Sequence, residues 1–268
     1  MSIPKIIHLA WVGPDPKPQM VLDCIESWKN HCPDYEIREW GRQAVLDMNN
    51  RFATEALENK KWAFASDVLR LWVLREHGGL YMDSDLLVTA PIDRFLENRF
   101  FTGFETYRGN VTVAGWFLAA EKGCEVVSDL LAEYDAIPFV HPDGSFDMVP
   151  NTSRIARYFS EKFALDPPYD ATRSAVPAPG VTIYPTHFFC APEPGLENYT
   201  IHLFNGAWLD KYERKHYGSL GRLEFARFKR TEKRSGKLPL REGEKLLFTI
   251  PTRLSGEKRL AVILRPRW

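Results

Sequence analysis

Phe64 to Val88 reads FASDVLRLWVLREHGGLYMDSDLLV, and no other stretch constrains the fold as tightly. From Phe64 to Glu76 apolar residues occupy nearly every side of a helix, so that helix belongs inside the protein. Gly78 and Gly79 suit a left-handed cap that ends it. Leu80 to Met82 is then a short strand running into Asp83-Ser84-Asp85. Asp67 and Arg70 lie three apart and share a helix face. Charges in a buried helix are costly unless they pair with each other or with a ligand. On this extended chain Asp83 and Asp85 point the same way, with Cα atoms about 6.5–7 Å apart. Carboxylates are hard oxygen ligands suited to Mg²⁺ or Mn²⁺, and a metal so held can stabilise a leaving diphosphate. Each feature also has an ordinary reading. D-x-D commonly marks a solvated turn, and a buried Asp–Arg pair can simply anchor its helix.

Upstream, Lys5 to Trp11 predicts a buried strand, broken by Gly13-Pro14-Asp15-Pro16. Val21, Leu22, Ile25 and Trp28 recur at helical spacing. Tyr35 to Trp40 alternates like a strand, and a helix is expected over 42–57. The order β-α-β-α indicates a doubly wound α/β layer. Downstream, strands are expected at 100–104, 111–120 and 181–184, and a helix at 125–134. Thr152 can cap a helix running to about Phe163. Tyr199 to Phe204 is a further apolar segment, and 246–250 with 260–264 suggest a hairpin.

The 268 residues include 44% apolar side chains, enough for one large domain or two small ones. Net charge is zero, yet 17 of the 35 basic residues and only 6 of the 35 acidic ones lie from Lys211 onward. An acidic body with a basic tail suggests that the tail meets an anionic surface, or packs on the body itself. Leu223 to Arg230 could lie in a membrane interface, with Phe225 and Phe228 in the apolar layer and Arg227, Lys229 and Arg230 on phosphates. Cys24, Cys32, Cys124 and Cys190 form no C-x-x-C pair and no zinc spacing, so reduced cysteines are expected. The N-terminus lacks the pattern of a signal peptide, and 111–120 is about half the length of a spanning helix. A cytoplasmic protein, peripheral at most to the inner face of the membrane, is the expectation, with no nucleic-acid partner.

The string Ser66-Asp67, Arg70, Leu74, Gly78-Gly79, Tyr81, Asp83 and Asp85 resembles the sugar-binding region of glycosyltransferase family 32. That family includes bacterial capsule and lipopolysaccharide transferases and, more distantly, yeast initiating mannosyltransferases and clostridial glucosylating toxins. Ile3-Pro4-Lys5-Ile6-Ile7-His8, followed by Trp11 and Gly13, is similar to the family's opening strand. His202, Gly206, Ala207 and Trp208 are similar to its C-terminal H-x-x-x-G-S-W. The resemblance implies an α/β, GT-A-like and Rossmann-like nucleotide-sugar-binding domain with a mostly parallel sheet, over residues 1–218. A basic C-terminal extension, 219–268, lies outside it.

The same resemblance implies a retaining hexosyltransferase using a nucleotide-sugar donor, most readily a UDP-sugar, and Mn²⁺ or Mg²⁺. Its acceptor would be a glycan or lipid-linked glycan in surface polysaccharide synthesis. By position, Trp11 would stack on the nucleobase, and Asp67 and Arg70 would contact donor sugar and phosphates. Tyr81, Asp83, Ser84, Gly206 and Trp208 would complete the donor site. Asp85 and His202 would ligate the metal, with Asp83 acting directly or through water. Asp67, Arg70, Asp83 and Asp85 would carry catalysis. Ala207 stands where the family usually has Ser, and Asn205 is close enough to replace the lost ligand. Asp147 or Asn151 would face the acceptor. Two rival classes remain. A haloacid-dehalogenase-type phosphohydrolase also uses D-x-D after an apolar strand, but Leu87 stands where it places Thr or Val. A glycan-binding protein could keep the fold without catalysis.

Overall fold

The computed structural model describes residues 2–107 and 109–204 in full, and the backbone of strands 212–220, 223–230, 245–251 and 258–264. It divides into two compact units, Met1–Asn205 and Gly206–Trp268. In the first, strands β1 (Ile6–Ala10), β2 (Glu36–Trp40) and β3 (Gly79–Met82) alternate with helices α1 (Gln19–His31), α2 (Arg42–Asp47), α3 (Arg51–Glu58) and α4 (Trp62–His77). There follow β4 (Leu86–Val88), β5 (Phe100–Tyr107), β6 (Asn110–Val113), β7 (Phe117–Ala120) and α5 (Glu125–Asp135). The unit closes with α6 (Asn151–Phe163), β8 (Ala175–Ala178), β9 (Val181–Tyr184), α7 (Thr186–Phe189) and β10 (Thr200–His202).

The central sheet has the order β2-β1-β3-β7-β5-β9-β8, with β6 paired to β5. Pairs β1–β2, β1–β3 and β5–β9 are parallel, whereas β7 is antiparallel to both neighbours. Five of the seven strands on this path therefore point the same way, as expected of a mostly parallel α/β sheet. Residues alternate between two cores. Tyr81 and Leu118 face the cluster built on α3, α4 and α5, while Leu80, Met82 and Phe117 face the one that contains Trp28.

Helix α4 is buried through Phe64, Val68, Leu69, Leu71, Val73 and Leu74. At about 1.5–3 kcal/mol per side chain their burial contributes roughly 10 kcal/mol or more. That exceeds the several kcal/mol each buried ion costs, so the helix can carry Asp67 and Arg70 if they are paired. Gly78 (φ 67°) and Gly79 (φ 102°) end it, and Gly78 N–H donates to Leu74. A Cβ on Gly79 would lie 2.5 Å from the Ile6 carbonyl oxygen. Gly79→Ala is therefore expected to cost about 3 kcal/mol or more, from backbone strain and overpacking together. Thermal unfolding checks it, and an unchanged midpoint would refute the steric account.

The same corner explains His8. The Trp40 indole N–H donates to its Nδ1 at 3.0 Å, so Nε2–H donates to the Gly78 carbonyl at 2.8 Å. His8 is fully buried, and burial lowers its pKa to about 4.

Several expectations are corrected. The helix expected over 42–57 is two helices. Asn49 adopts φ 51°, and the Asn50 side chain caps α3 by accepting from Ala53 N–H at 2.9 Å. The strand-like run 111–120 breaks at Ala114-Gly115-Trp116, between β6 and β7. Helix α6 starts after Pro150 with no side-chain cap, so Thr152 lies inside it. All four cysteines are buried and free. No helix among the described residues is long and apolar enough to cross a membrane.

The second unit is a four-stranded antiparallel sheet, ordered β11-β12-β14-β13, from β11 (Tyr212–Leu220), β12 (Leu223–Arg230), β13 (Lys245–Pro251) and β14 (Lys258–Leu264). The expected hairpin corresponds to β13 and β14, and the basic aromatic run 223–230 is a strand.

Candidate active site

Tyr81 and Asp83 stand two apart and share the face that packs on α4. Arg70 reaches that face from α4. Its Nη2 lies 2.9 Å from Asp67 and 3.2 Å from Asp83 Oδ1. Its Nη1 donates to the Gly115 carbonyl, and the guanidinium lies 4.8 Å over the Tyr81 ring. Asp67 and Arg70 are buried, whereas the Asp83 side chain remains 31% exposed. Burial pushes the carboxyls of Asp67 and Asp83 upward, and the Arg70 charge opposes it in both. Tyr81 is buried beneath Arg70 as its support.

Asp83-Ser84-Asp85 does not continue as an extended chain. Leu86 N–H donates to the Asp83 carbonyl at 3.2 Å and closes a turn between β3 and β4. The two carboxylates therefore serve different partners. Asp83 faces Arg70, and Asp85 Oδ1 lies 3.5 Å from His202 Nε2. Strand β10 pairs antiparallel with β4, placing His202 opposite Leu86, and Leu203 N–H donates to the Asp85 carbonyl at 3.0 Å. His202 Nδ1 is buried and has no hydrogen-bond partner among the described residues. Residues far apart in the sequence are thus joined by one short β ladder.

Trp11 follows the end of β1, at the same end of the sheet as Asp83, because β1 and β3 are parallel neighbours. Its indole N–H donates to the Asp15 carbonyl at 2.8 Å, and Lys17, paired with Glu39 at 2.6 Å, sits 5.7 Å from its ring. Asn205, Gly206, Ala207 and Trp208 lie outside the described residues. Asn151 is buried at the start of α6, and its Nδ2 also lacks a partner among the described residues. Asp147 is occupied. It accepts both 2.7 Å hydrogen bonds from Arg154, which also donates to Glu133 and lies 5.1 Å over the Tyr134 ring.

Four of these residues escaped sequence reasoning. Arg154 ties the 138–150 loop to α5, and its charge reaches Asp67. Gly115 accepts from Arg70, and a Cβ there would press on Ile155, Thr152 and Asn151 at 3.3–3.4 Å. Trp116 and Glu105 stand beside His202. A glycine inside a strand-like run was the one available signal, since such glycines mark close backbone approach.

Among the described residues, no group of three or more His, Cys, Asp or Glu side chains is arranged around a metal site. Asp85 and His202 instead set one carboxylate and one imidazole side by side. That fits a small divalent cation, which takes its remaining ligands from substrate phosphates and water.

Residues 18–101 match the family described as "Glycosyltransferase sugar-binding region containing DXD motif". A Legionella pneumophila protein named "Subversion of eukaryotic traffic protein A" is 26% identical over 158 residues, 48% of this chain and 24% of that protein. The chain thus spans about a quarter of the length of that relative. Among solved structures, the PaToxG glycosyltransferase aligns at TM-score 0.45 and 16% identity, covering 61% of this chain and 71% of that one. A UDP-bound glycosyltransferase domain from the YGT toxin aligns at 0.34 and 13%, covering 62% and 68%. The matched family region begins before α1 and runs through Asp67, Arg70 and the Asp83–Asp85 turn into β5, so this part of the chain is similar to the sugar-binding region of DXD glycosyltransferases.

Proposed function

We propose that the protein transfers a hexose from a UDP-sugar, with retention of configuration, to a glycan or lipid-linked glycan in surface polysaccharide synthesis. The observation that carries this is the chain of charge from the buried Asp67 through Arg70 to the partly exposed Asp83, ending beside Asp85 and His202. It sets a guanidinium, suited to an anion, beside a carboxylate and an imidazole, suited to a cation. Ligands gather at the carboxyl ends of the strands in α/β sheets.

In this reading Trp11 stacks on the nucleobase, its ring angle set by the Asp15 hydrogen bond. Arg70, ionised between two carboxylates, offsets the donor's negative charge. Asp67, Asp83 and the Nδ2 of Asn151, which has no partner among the described residues, orient sugar hydroxyls. Asp85 and His202 hold a divalent cation, and the imidazole favours Mn²⁺ over Mg²⁺. When bound, that cation neutralises the diphosphate and makes it a better leaving group. The C1–O bond to the β-phosphate breaks with its electron pair passing to the phosphate oxygen. The acceptor hydroxyl oxygen bonds C1 from the same face, and its proton passes to that phosphate oxygen.

Purified protein with Mn²⁺ is expected to hydrolyse a UDP-sugar slowly, and Asp85→Ala to abolish it. Metal-independent turnover surviving that change sinks the cation assignment. A thermal-shift panel of UDP- and GDP-sugars with Mn²⁺ selects the donor, since a ligand at 100 times its Kd adds about 2.7 kcal/mol. The basic C-terminal unit would hold the enzyme at an anionic membrane, and salt-insensitive co-sedimentation with anionic vesicles would exclude this. The printed name of the Legionella protein, which speaks of eukaryotic traffic, motivates testing a second acceptor class, a eukaryotic protein. Labelled sugar appearing in polypeptide rather than lipid-extractable glycan would choose it.

A further inference from the structure

His202 is held in an unusual manner for a residue read as a cation ligand. A ligating imidazole is ordinarily oriented by a hydrogen bond from its second ring nitrogen to a carboxylate, carbonyl or water. Here Nε2 faces Asp85, while Nδ1 is buried with no partner among the described residues. The ring lies instead in an aromatic slot. Trp116 stacks on it at 4.4 Å between centroids, 29° from parallel, and Phe204 lies at 4.1 Å. Trp116 also holds the other half of the site, because its carbonyl accepts the Asp83 N–H at 2.8 Å. The indole is itself fixed. Trp116 is 3% exposed, and its N–H donates to Glu105 Oε2, on β5, at 2.6 Å.

We propose that Trp116, anchored by Glu105, is the positioning residue for the cation grip, orienting His202 by stacking where a hydrogen bond would ordinarily do so. The inference rests on Asp85 and His202 being the cation's ligands. Within the described residues, Trp116 touches the Asp83 backbone and the His202 ring at once. Loss of the Glu105 anchor frees the indole to tilt, and the imidazole then samples orientations that do not meet the cation.

The test is calorimetric titration of Mn²⁺ into the full-length protein with UDP present, alongside thermal unfolding. Glu105→Leu, which removes the acceptor, is expected to raise the Mn²⁺ Kd about 10–100-fold, and Glu105→Gln, which keeps an acceptor oxygen, to stay within about threefold. UDP affinity at saturating Mn²⁺ should be unchanged in both, a separation that general loosening of the fold would not give. Trp116→Phe keeps one aromatic ring for stacking but loses the N–H together with part of the indole, so it should be impaired at least as much as Glu105→Leu, and it decides the matter if Glu105→Leu does not fold. Unchanged Mn²⁺ affinity in Glu105→Leu or in Trp116→Phe overturns the proposal, as does a Gln variant as impaired as Leu. Wild-type protein that takes up no Mn²⁺ with UDP overturns the cation reading itself, and the inference with it. That outcome is told apart from failure of the anchor alone by the wild-type titration.

Discussion

Arg70→Met is expected to be the most damaging single change in the molecule. It removes the partner of Asp67, whose side chain is 12% exposed, and leaves a carboxylate stranded beneath α4. Breaking one half of a buried pair costs about 3–5 kcal/mol, a large part of a typical domain's total stability. UDP-sugar turnover should fall as well, by about 10²–10³-fold, as for other preorganised charges aimed at a developing oxyanion. The double change Asp67→Asn with Arg70→Met separates the two effects. Replacing both charges by neutral groups of similar size should restore much of the stability, read by urea unfolding. It should restore none of the turnover. A double variant that turned over donor like the wild type would reduce the pair to an anchor for its helix.

Acidification should remove a further large increment through His8. Burial holds its pKa at about 4, below its ordinary 6.5, and the Gly78 carbonyl offsets only part of that. The unfolded chain therefore binds a proton that the folded one refuses between those values. The sign follows: the contribution is complete above about pH 6.5 and is lost as pH falls towards 4. The difference corresponds to about 3 kcal/mol, using about 1.4 kcal/mol per unit. The structural cause is specific. Nδ1 already accepts from Trp40, so a second proton there would meet an N–H. Urea unfolding at pH 7 and pH 4.5 should show the wild type losing about 2.4 kcal/mol more than His8→Gln. Equal losses would mean that another group sets the acid limit.

Sequence reasoning reached the fold where apolar periodicity is strong. Strands β1, β2 and β3 and helices α1 and α4 lie where the pattern puts them, because burial on one face leaves a repeat in the chain. It failed where a local capping choice overrode that repeat, as at Asn49-Asn50, and where one apolar run was cut by a single glycine at Gly115. The site divides in the same way. Asp67, Arg70, Asp83 and Asp85 sit within 20 residues and announce themselves by charge in apolar surroundings. The turn at Ser84 was missed because an extended chain and a reverse turn both tolerate D-S-D. Trp116, Glu105 and Arg154 were illegible for a different reason. An indole, a carboxylate and a guanidinium in unremarkable contexts acquire their roles only through partners distant in sequence. Those partners include His202, Asp83 and Glu133.

The reversed direction of β7 has a mechanical meaning. A strand inserted head-to-tail between β3 and β5 brings its starting end to the rim where β3 finishes. Trp116 and Asp83 are thereby adjoining rungs of one ladder, whose next step is the Met82–Phe117 pair. Whatever displaces β7 along β3 would carry the floor beneath His202 with it, while Arg70, hung from α4 onto Gly115, would be dragged by the same bend. The rim is geared rather than hinged. Distortions of the sheet would reach the sugar side and the cation side together, and a change that loosens one without the other would have to arise in the loops.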